Sequence, residues 1–480
     1  MFDKKEYDLK IQKEREEQIR EIAKYLEESV KINAHIRDLP ISAKSNKESM
    51  EYVKNIPISN SSRPIKEVAD EMVEHVYRNI DLIQHPRFFS YVASSVSPYS
   101  LLGSILTDIY NPNACGFGLA SEACIIEEKL ISYLGSLAGY NESLCGGLFS
   151  SGGSISNMSC LVAAREEKLK DEDYSLGTAY CSDQTHICVV KGLKMIGIKE
   201  SQIRIIPTDE NFKMRMDLLE EEIKKDIKNG RKPFAVVGTI GTTNTGSIDP
   251  LDKIGDICKK YNLWFHIDGA YGGSILFSEI YRNLAKGVEK SDSIAWDLHK
   301  WAMQTYSASA YIVKNKDYLL NAFSEYPEYL DDLKNEEHND AWNLGPELSR
   351  PHRALKFWMT IQAMGTDLLS DVIDYSFYNA NVCKEELEKD DHWEILSGPW
   401  CSTLNFRYVE DGLSEEELDD LCLKISKKCL LDNYAHIVTT TIKGKKTLRM
   451  CLINQNTNTD DVRETIAYLS KIAKEIAKGE

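Results

Sequence analysis

The sequence predicts an α/β fold, a mostly parallel sheet covered by helices on both faces. Two observations carry the prediction. From about residue 145, short β-branched or aromatic runs recur at "TAYCSD", "IRIIPT", "FAVVGT", "LWFHID", "DSIAWDL" and "ASAYIVK". Helical stretches lie between several of them, and strands alternating with helices pair in parallel through crossovers. Ligands of such sheets sit beyond the carboxyl ends of the strands.

Taken in order, residues 1 to about 85 are charged and helical in pattern, with Ile19, Ile22, Tyr25 and Leu26 forming a stripe. That stripe is too thin to make its own core and is expected to lie against something else, such as another subunit. The segment "DLPISAKSNKESM" reads as a loop. In "FSSGGSISNMSCLVAAR", Ile155, Met158 and Val162 predict a buried helical face. In "MDLLEEEIKKDIKNG", Asp217 is placed to cap, Leu219, Ile223 and Ile227 share a face, and Gly230 stops the helix. In "DPLDKIGDICKKYN", Asp249 is the expected N-cap, with Pro250 at the first helical position and Leu251, Ile254 and Cys258 buried. After about 365, one helix, three strands ("STLNFRYV", "HIVTTTIKG", "KTLRMCLIN") and a closing helix predict a small α+β domain. The expected division is a helical segment at 1–90, a large domain at 91–364 and a small one at 365–480, since 480 residues exceed one core.

A net charge of -17 argues against a nucleic-acid partner, which needs a basic face. The charged N-terminus has no apolar core, so it is not a secretory signal, and no stretch approaches the roughly 18 apolar residues of a membrane span. Twelve cysteines stand as singles without a CxxC pair. Buried free thiols in a reducing cytoplasm are therefore expected, rather than metal or disulfide frameworks.

Four residue sets fall at strand ends. Gly152, Gly153 and Ser154 precede a helix whose N-terminus could receive a phosphate, although such turns are often only turns. His186 stands in a polar turn, where a hydrogen-bonded loop histidine is the plainer reading. Asp268 ends an apolar strand, and a carboxylate there needs a cation, structural or otherwise. Asp297, His299 and Lys300 end another. Lys300 either emerges into solvent or is an amine kept partly desolvated as a nucleophile. Taken together, a phosphate cradle, an imidazole, a buried carboxylate and a desolvated amine describe a pyridoxal 5′-phosphate site with a Lys300 Schiff base. No metal cluster, Ser-His-Asp order or P-loop competes.

Seven blocks in order then carry a family resemblance: "HPRFFSYVASSVSPYSLLGSILTD", "SGGSISNMSCLVAAR", "SDQTHICVVKGLKMIG", "GTIGTTNTGSIDPLDKIG", "FHIDGAYGG", "DSIAWDLHKW" and "PELSRPHRALKFW". The chain resembles the group II pyridoxal-phosphate decarboxylases, and within them the aromatic L-amino-acid decarboxylases, including bacterial tryptophan decarboxylases. The resemblance implies the pyridoxal-phosphate-dependent transferase fold (fold type I) with a seven-stranded sheet. It implies that Lys300 carries the cofactor, that Asp268 pairs with its ring nitrogen, and that His186 stacks on the ring and assists protonation. Gly153, Ser154, Asp297 and His299 would surround the phosphate, with Thr243 near the ring. Tyr91, Ser94 and Phe117 would line the substrate pocket, and the site would form at a homodimer interface. The implied reaction turns an aromatic L-amino acid into its arylalkylamine and CO2. A glutamate or cysteine-sulfinate decarboxylase, or an aromatic aldehyde synthase, is the alternative.

One departure concerns a loop tyrosine that protonates Cα in animal and plant members. Here Asn339 or Asp340 stands near that place, with Tyr326 and Tyr329 earlier and His338 close by. Trp301, Trp358 and Phe88 are expected in the core. The aromatic lean rests on the resemblance and on "HPRFFSYV".

Overall fold

The computed structural model describes residues 4–42, 47–325 and 338–478. Its large sheet has seven strands: β1 (Gly146–Ser150), β2 (Gly177–Ser182), β3 (Ile203–Ile206), β4 (Lys232–Thr239), β5 (Trp264–Asp268), β6 (Ser293–Asp297) and β7 (Ser309–Val313). Their order is β1-β7-β6-β5-β4-β2-β3. Only β7 runs against its neighbours, pairing antiparallel with β1 and β6. The six apolar runs are β2 to β7. The sheet's remaining strand, β1, is "GGLFS", whose glycines read as a turn. They are needed for close approach: a Cβ on Gly147 would lie 1.9 Å from the Tyr311 carbonyl oxygen of β7.

Helix Gly153–Lys168 packs on this sheet, but through a different face from the one the periodicity predicted. Ser156, Asn157, Cys160, Leu161 and Ala164 are buried, while Ile155, Met158 and Val162 are only partly so. The reason is polar satisfaction beneath the helix. Asn157 meets the buried His266 ring at 2.7 Å, and Ser293 holds that ring's other nitrogen at 2.8 Å. Helix Met216–Lys228 starts one residue before Asp217, so Asp217 lies in its first turn and pairs with Arg215 instead of capping. Leu219 and Ile223 are buried as expected, but Ile227 is exposed and Asp226 takes the inner position, held by Tyr180 and Arg204. Asp249 does not cap helix Leu251–Tyr261, whose N-cap is Pro250. Its carboxylate accepts the amides of Met214 (2.8 Å) and Thr239 (2.9 Å), tying the end of β4 to a neighbouring loop.

The small sheet comprises β8 (Trp393–Trp400), β9 (Thr403–Tyr408), β10 (Val438–Ile442) and β11 (Lys445–Cys451), antiparallel in the order β10-β11-β9-β8. Helices Thr366–Leu387, Glu415–Leu431 and Thr459–Ala477 accompany it. Its core takes in Phe89, whose amide donates to the His436 carbonyl and whose carbonyl accepts from Cys451. Phe88 and Phe89 are fully buried, so they are packing residues and not the source of any aromatic preference at a ligand site. Trp301 is also buried, and Trp358 is half-buried.

The N-terminal stripe lies on helix Lys4–Lys31, with Ile19, Ile22 and Leu26 exposed in the single chain. Helix Lys47–Asn55 begins inside the segment read as a loop. All twelve cysteines are free, and all but Cys124 are buried. No described helix is long and apolar enough to cross a membrane.

Candidate active site

Five strands of the large sheet end around one cavity of about 330 Å3. Parallel strands bring their carboxyl ends to one edge, so residues distant in sequence converge there. Asp268 closes β5 and Asp297 closes the adjacent β6. The turn from β6 to the reversed β7 carries His299 and Lys300. Gly153 and Ser154 open the helix after β1, His186 opens the helix after β2, and Thr243 stands in the loop after β4. All eight of these residues line the cavity.

Lys300 Nζ lies 2.9 Å from Asp297 Oδ2. Burial alone would push the amine's pKa down, but the Asp297 charge and hydrogen bond outweigh it, so the net shift is upward. The amine is therefore ion-paired as well as desolvated. The second oxygen of Asp297 has no hydrogen-bond partner among the described residues. An ionised carboxylate cannot donate to a phosphate, so its role next to Lys300 is the one its chemistry supports. A Cβ on Gly153 would come within 2.9 Å of Asp297 Oδ2, which is why glycine stands there.

Asp268 is buried and accepts one backbone amide, from Ala270 at 3.1 Å. Burial raises its pKa, against the pull of the Lys300 charge. Such a carboxylate favours a cationic partner. His186 caps helix Ile187–Met195: the Cys188 amide donates to Nδ1 at 3.3 Å, which leaves the proton of the neutral ring on Nε2. Burial lowers its pKa; Asp268 raises it and Lys300 lowers it further. His299 Nδ1 accepts the Ala308 amide at 3.1 Å, and Nε2 lies 3.7 Å from Asp297. Burial lowers its pKa as well.

The other expected pocket residues lie elsewhere in this chain. Tyr91 is exposed, and its carbonyl accepts from Arg449. Ser94 is buried, donating to the Ile453 carbonyl and Gln455. Phe117 stacks on His338 at 4.0 Å, and its amide donates to Asp340. None of the three lines the cavity, although Ser97, just after Ser94, donates its amide to the Met303 carbonyl three residues after Lys300. Tyr326 and Tyr329 lie outside the described residues. Asp340 is buried.

Two tyrosines line the cavity that the sequence reading did not single out. Tyr306 follows Lys300 by six residues, its ring 4.7 Å from His299, and Tyr271 lies three residues after Asp268. Their nearness in sequence to two strand-end residues was the available signal. Arg449 was also missed: a buried guanidinium on β11 held by the Tyr91 and Asn244 carbonyls, with Nη2 unpartnered among the described residues.

The residues present fit pyridoxal phosphate. The helix at Gly153 offers first-turn amides with no intrahelical acceptor, Asp297 has an oxygen to spare beside a lysine, and Asp268 is a buried acid short of a cation.

Comparisons with known proteins agree. Residues 48–409 match the pyridoxal-dependent decarboxylase conserved domain. The aromatic-L-amino-acid decarboxylase of Bacillus atrophaeus is 31% identical over 450 residues, 92% of this chain and 92% of that protein. The cysteine sulfinic acid decarboxylase of Homo sapiens is 31% identical over 355 residues, 72% of this chain and 71% of that protein. Among solved structures, Oryza sativa TDC with PLP and tryptamine superposes with a TM-score of 0.89 at 23% identity, covering 95% of this chain and 98% of that one. Mouse CSAD in apo form gives 0.84 at 25% identity, covering 90% and 93%. With the fold, the strand-end cavity and these likenesses in agreement, the chain belongs to the pyridoxal-dependent decarboxylase family and is a pyridoxal-phosphate-dependent carboxy-lyase acting on an amino acid.

Proposed function

We propose that the enzyme decarboxylates aromatic L-amino acids, of tryptophan, phenylalanine or tyrosine type, to the arylalkylamine and CO2. The observation that carries the aromatic choice is the cavity wall. Apart from Lys300, no lysine or arginine lines it among the described residues, whereas Tyr306 and Tyr271 do. A substrate's side-chain carboxylate or sulfinate would lose water against this chain's wall without gaining a cation from it. Arg449 lies outside that wall, held by two carbonyls. The Bacillus atrophaeus relative supports the same reading. The cysteine sulfinic acid decarboxylases support an acidic substrate as the second reading.

In this proposal Lys300 holds pyridoxal phosphate through its amine, with Asp297 keeping that amine in place. Gly153, Ser154 and His299 would receive the phosphate, Asp268 would accept from the ring nitrogen, and Thr243 and His186 would stand near the ring. When bound, the cofactor supplies an electron-poor ring that takes up the pair left on Cα as CO2 departs. His186, neutral with its proton on Nε2, assists the return of a proton to Cα.

We also assign the chain to a cytoplasmic homodimer with a shared site. Residues 1–90 serve as the dimerisation segment, 91–364 as the cofactor-binding domain and 365–480 as the small domain. The exposed Ile19, Ile22 and Leu26 support this, as does the absence of Tyr91 and Phe117 from their own chain's cavity wall. Mixing Lys300→Ala with Phe117→Ala chains should recover activity that neither variant has alone; no recovery in mixed dimers would refute the shared site.

The substrate assignment is tested by CO2 release from tryptophan, phenylalanine, tyrosine, glutamate and cysteine sulfinate, with the product identified as amine or aldehyde. Turnover of the acidic set alone would overturn it. A predominantly aldehyde product would replace the simple decarboxylase with an aldehyde synthase.

A further inference from the structure

A second cavity, of about 430 Å3, is lined by the loop after β4 and by the turn from β8 to β9. Its walls include Trp400, at the end of β8, and Tyr281, whose ring stacks on Phe377 at 3.9 Å. Lys213, Lys253 and Lys286 stand exposed around it. None of the three forms an ion pair among the described residues, although the chain holds 75 acidic residues against 58 basic ones. The two carboxylates of the wall are engaged elsewhere: Asp252 pairs with Lys290 at 2.7 Å, and Asp249 accepts its two amides.

Exposed lysines are ordinary on a surface. Lys213 and Lys253, with Lys286, whose charge also acts on Asp252, line a space of ligand size together with an indole and a phenol. Like charges brought together repel, and an anion placed among them relieves that repulsion. A flat ring would bury apolar area against Trp400 and Tyr281, and an attached carboxylate would reach the ammonium groups.

This cavity shares structure with the catalytic one. Cys401 lines it, and the Tyr271 hydroxyl donates to the Cys401 carbonyl while the tyrosine lines the active-site cavity. Asp249 likewise lines the second cavity and holds the amide of Thr239, which lines the first.

We propose that this cavity is an effector site for a planar aromatic carboxylate, separate from the catalytic cavity and coupled to it through Tyr271 and Cys401. The proposal does not depend on which amino acid is decarboxylated. The probe is 2-naphthoate, which has no amine and cannot take the substrate's place on the cofactor. Calorimetry on the holoenzyme is expected to give one saturable site per chain, not displaced by the amine product. At saturating amino acid, naphthoate is expected to change kcat at least twofold. Lys253→Glu with Lys286→Glu should weaken binding at least tenfold and abolish the kcat effect, whereas Lys253→Arg with Lys286→Arg should retain both. The visible cofactor band checks folding, and Trp400→Leu is read instead if the reversal variant lacks that band. Absence of saturable binding, binding that survives both the charge reversal and Trp400→Leu, displacement by the amine, or an unchanged kcat would each overturn the proposal.

Discussion

Two buried charge clusters in this molecule are built to opposite specifications. At Glu127 and Arg350 every carboxylate oxygen is answered: Arg350 donates to both at 2.9 and 2.5 Å, and the Phe149 amide adds a bond of 2.8 Å. Arg350 also donates to the Ala114 and Phe149 carbonyls. At the strand ends, Asp297 has one lysine and an oxygen with no partner among the described residues, and Asp268 has one backbone amide. Burial pushes both Glu127 and Asp268 toward the neutral form, yet Glu127 ends below its ordinary value and Asp268 above it. A carboxylate with both oxygens answered is inert and structural, even though Arg350 Nε finds no partner among the described residues, whereas a carboxylate left with an oxygen to spare is able to bind something else.

The largest effect should separate the two clusters by readout. Lys300→Ala is expected to lower decarboxylation at least ~10³-fold and to remove the cofactor's lysine-linked absorbance band. Its unfolding midpoint should move less than that of Arg350→Met. If the band persists, another amine carries the cofactor.

Arg350→Met should show the reverse pattern, with stability as the primary loss. Leaving Glu127 buried without its partner costs about 3–5 kcal/mol, and Glu127→Leu in the same chain should recover much of it. The sign with pH follows from the depressed folded value of Glu127. Its stabilisation is present above the ordinary 4.5 and is lost as pH falls through the lower folded value. Arg350→Met should therefore unfold in acid at a higher pH than wild type, as circular dichroism would record. Equal acid midpoints would mean that the pair is not a stabilising unit.

Gly153→Ala probes how tightly the open cluster is positioned. Its Cβ would meet both Asp297 oxygens, at 2.9 and 3.1 Å, and Ala270 at 3.0 Å. Displacing Asp297 from Lys300 by a fraction of an ångström to an ångström is expected to cost up to ~10²-fold in kcat/KM. Wild-type activity in this variant would show that the Asp297–Lys300 contact is not under positional demand.

The two clusters also differed in how far the sequence exposed them. Lys300, Asp268, His186 and Gly153 each abut a strand or helix boundary visible as a change of periodicity, and the sheet's parallel order brings such boundaries together. Glu127 sits mid-helix in Ser121–Leu137, and Arg350 lies in a loop more than two hundred residues on, with no local pattern to join them. The same limit explains the missed strands. β1 has glycines where backbones nearly touch, and β8 contains Gly398, where a Cβ would lie 2.2 Å from the Thr403 carbonyl oxygen. Both therefore look like turns to a propensity argument. Asp249 was misread for a related reason, because an Asp-Pro before a helix carries the same letters whether its carboxylate caps or reaches across to another loop. Tyr91, Ser94 and Phe117 were placed by resemblance alone, and a single chain does not bring them to the cavity wall.

The smallest effect is a displacement on the pH axis. Burial, acting first, and the Lys300 charge hold His186 below the ordinary imidazole value of 6.5, and Asp268 only partly offsets them. The ring is thus neutral at pH 7 and gains its second proton only as pH falls through the lowered value. If neutral His186 with Nε2–H is the working form, kcat/KM should hold steady across neutral pH and fall on an acid limb whose midpoint lies below 6.5. His186→Asn should erase that limb along with most of the rate. An acid limb centred above 7, or one that survives the substitution, would assign the titration to another group and return His186 to its plain structural role as the cap of helix Ile187–Met195.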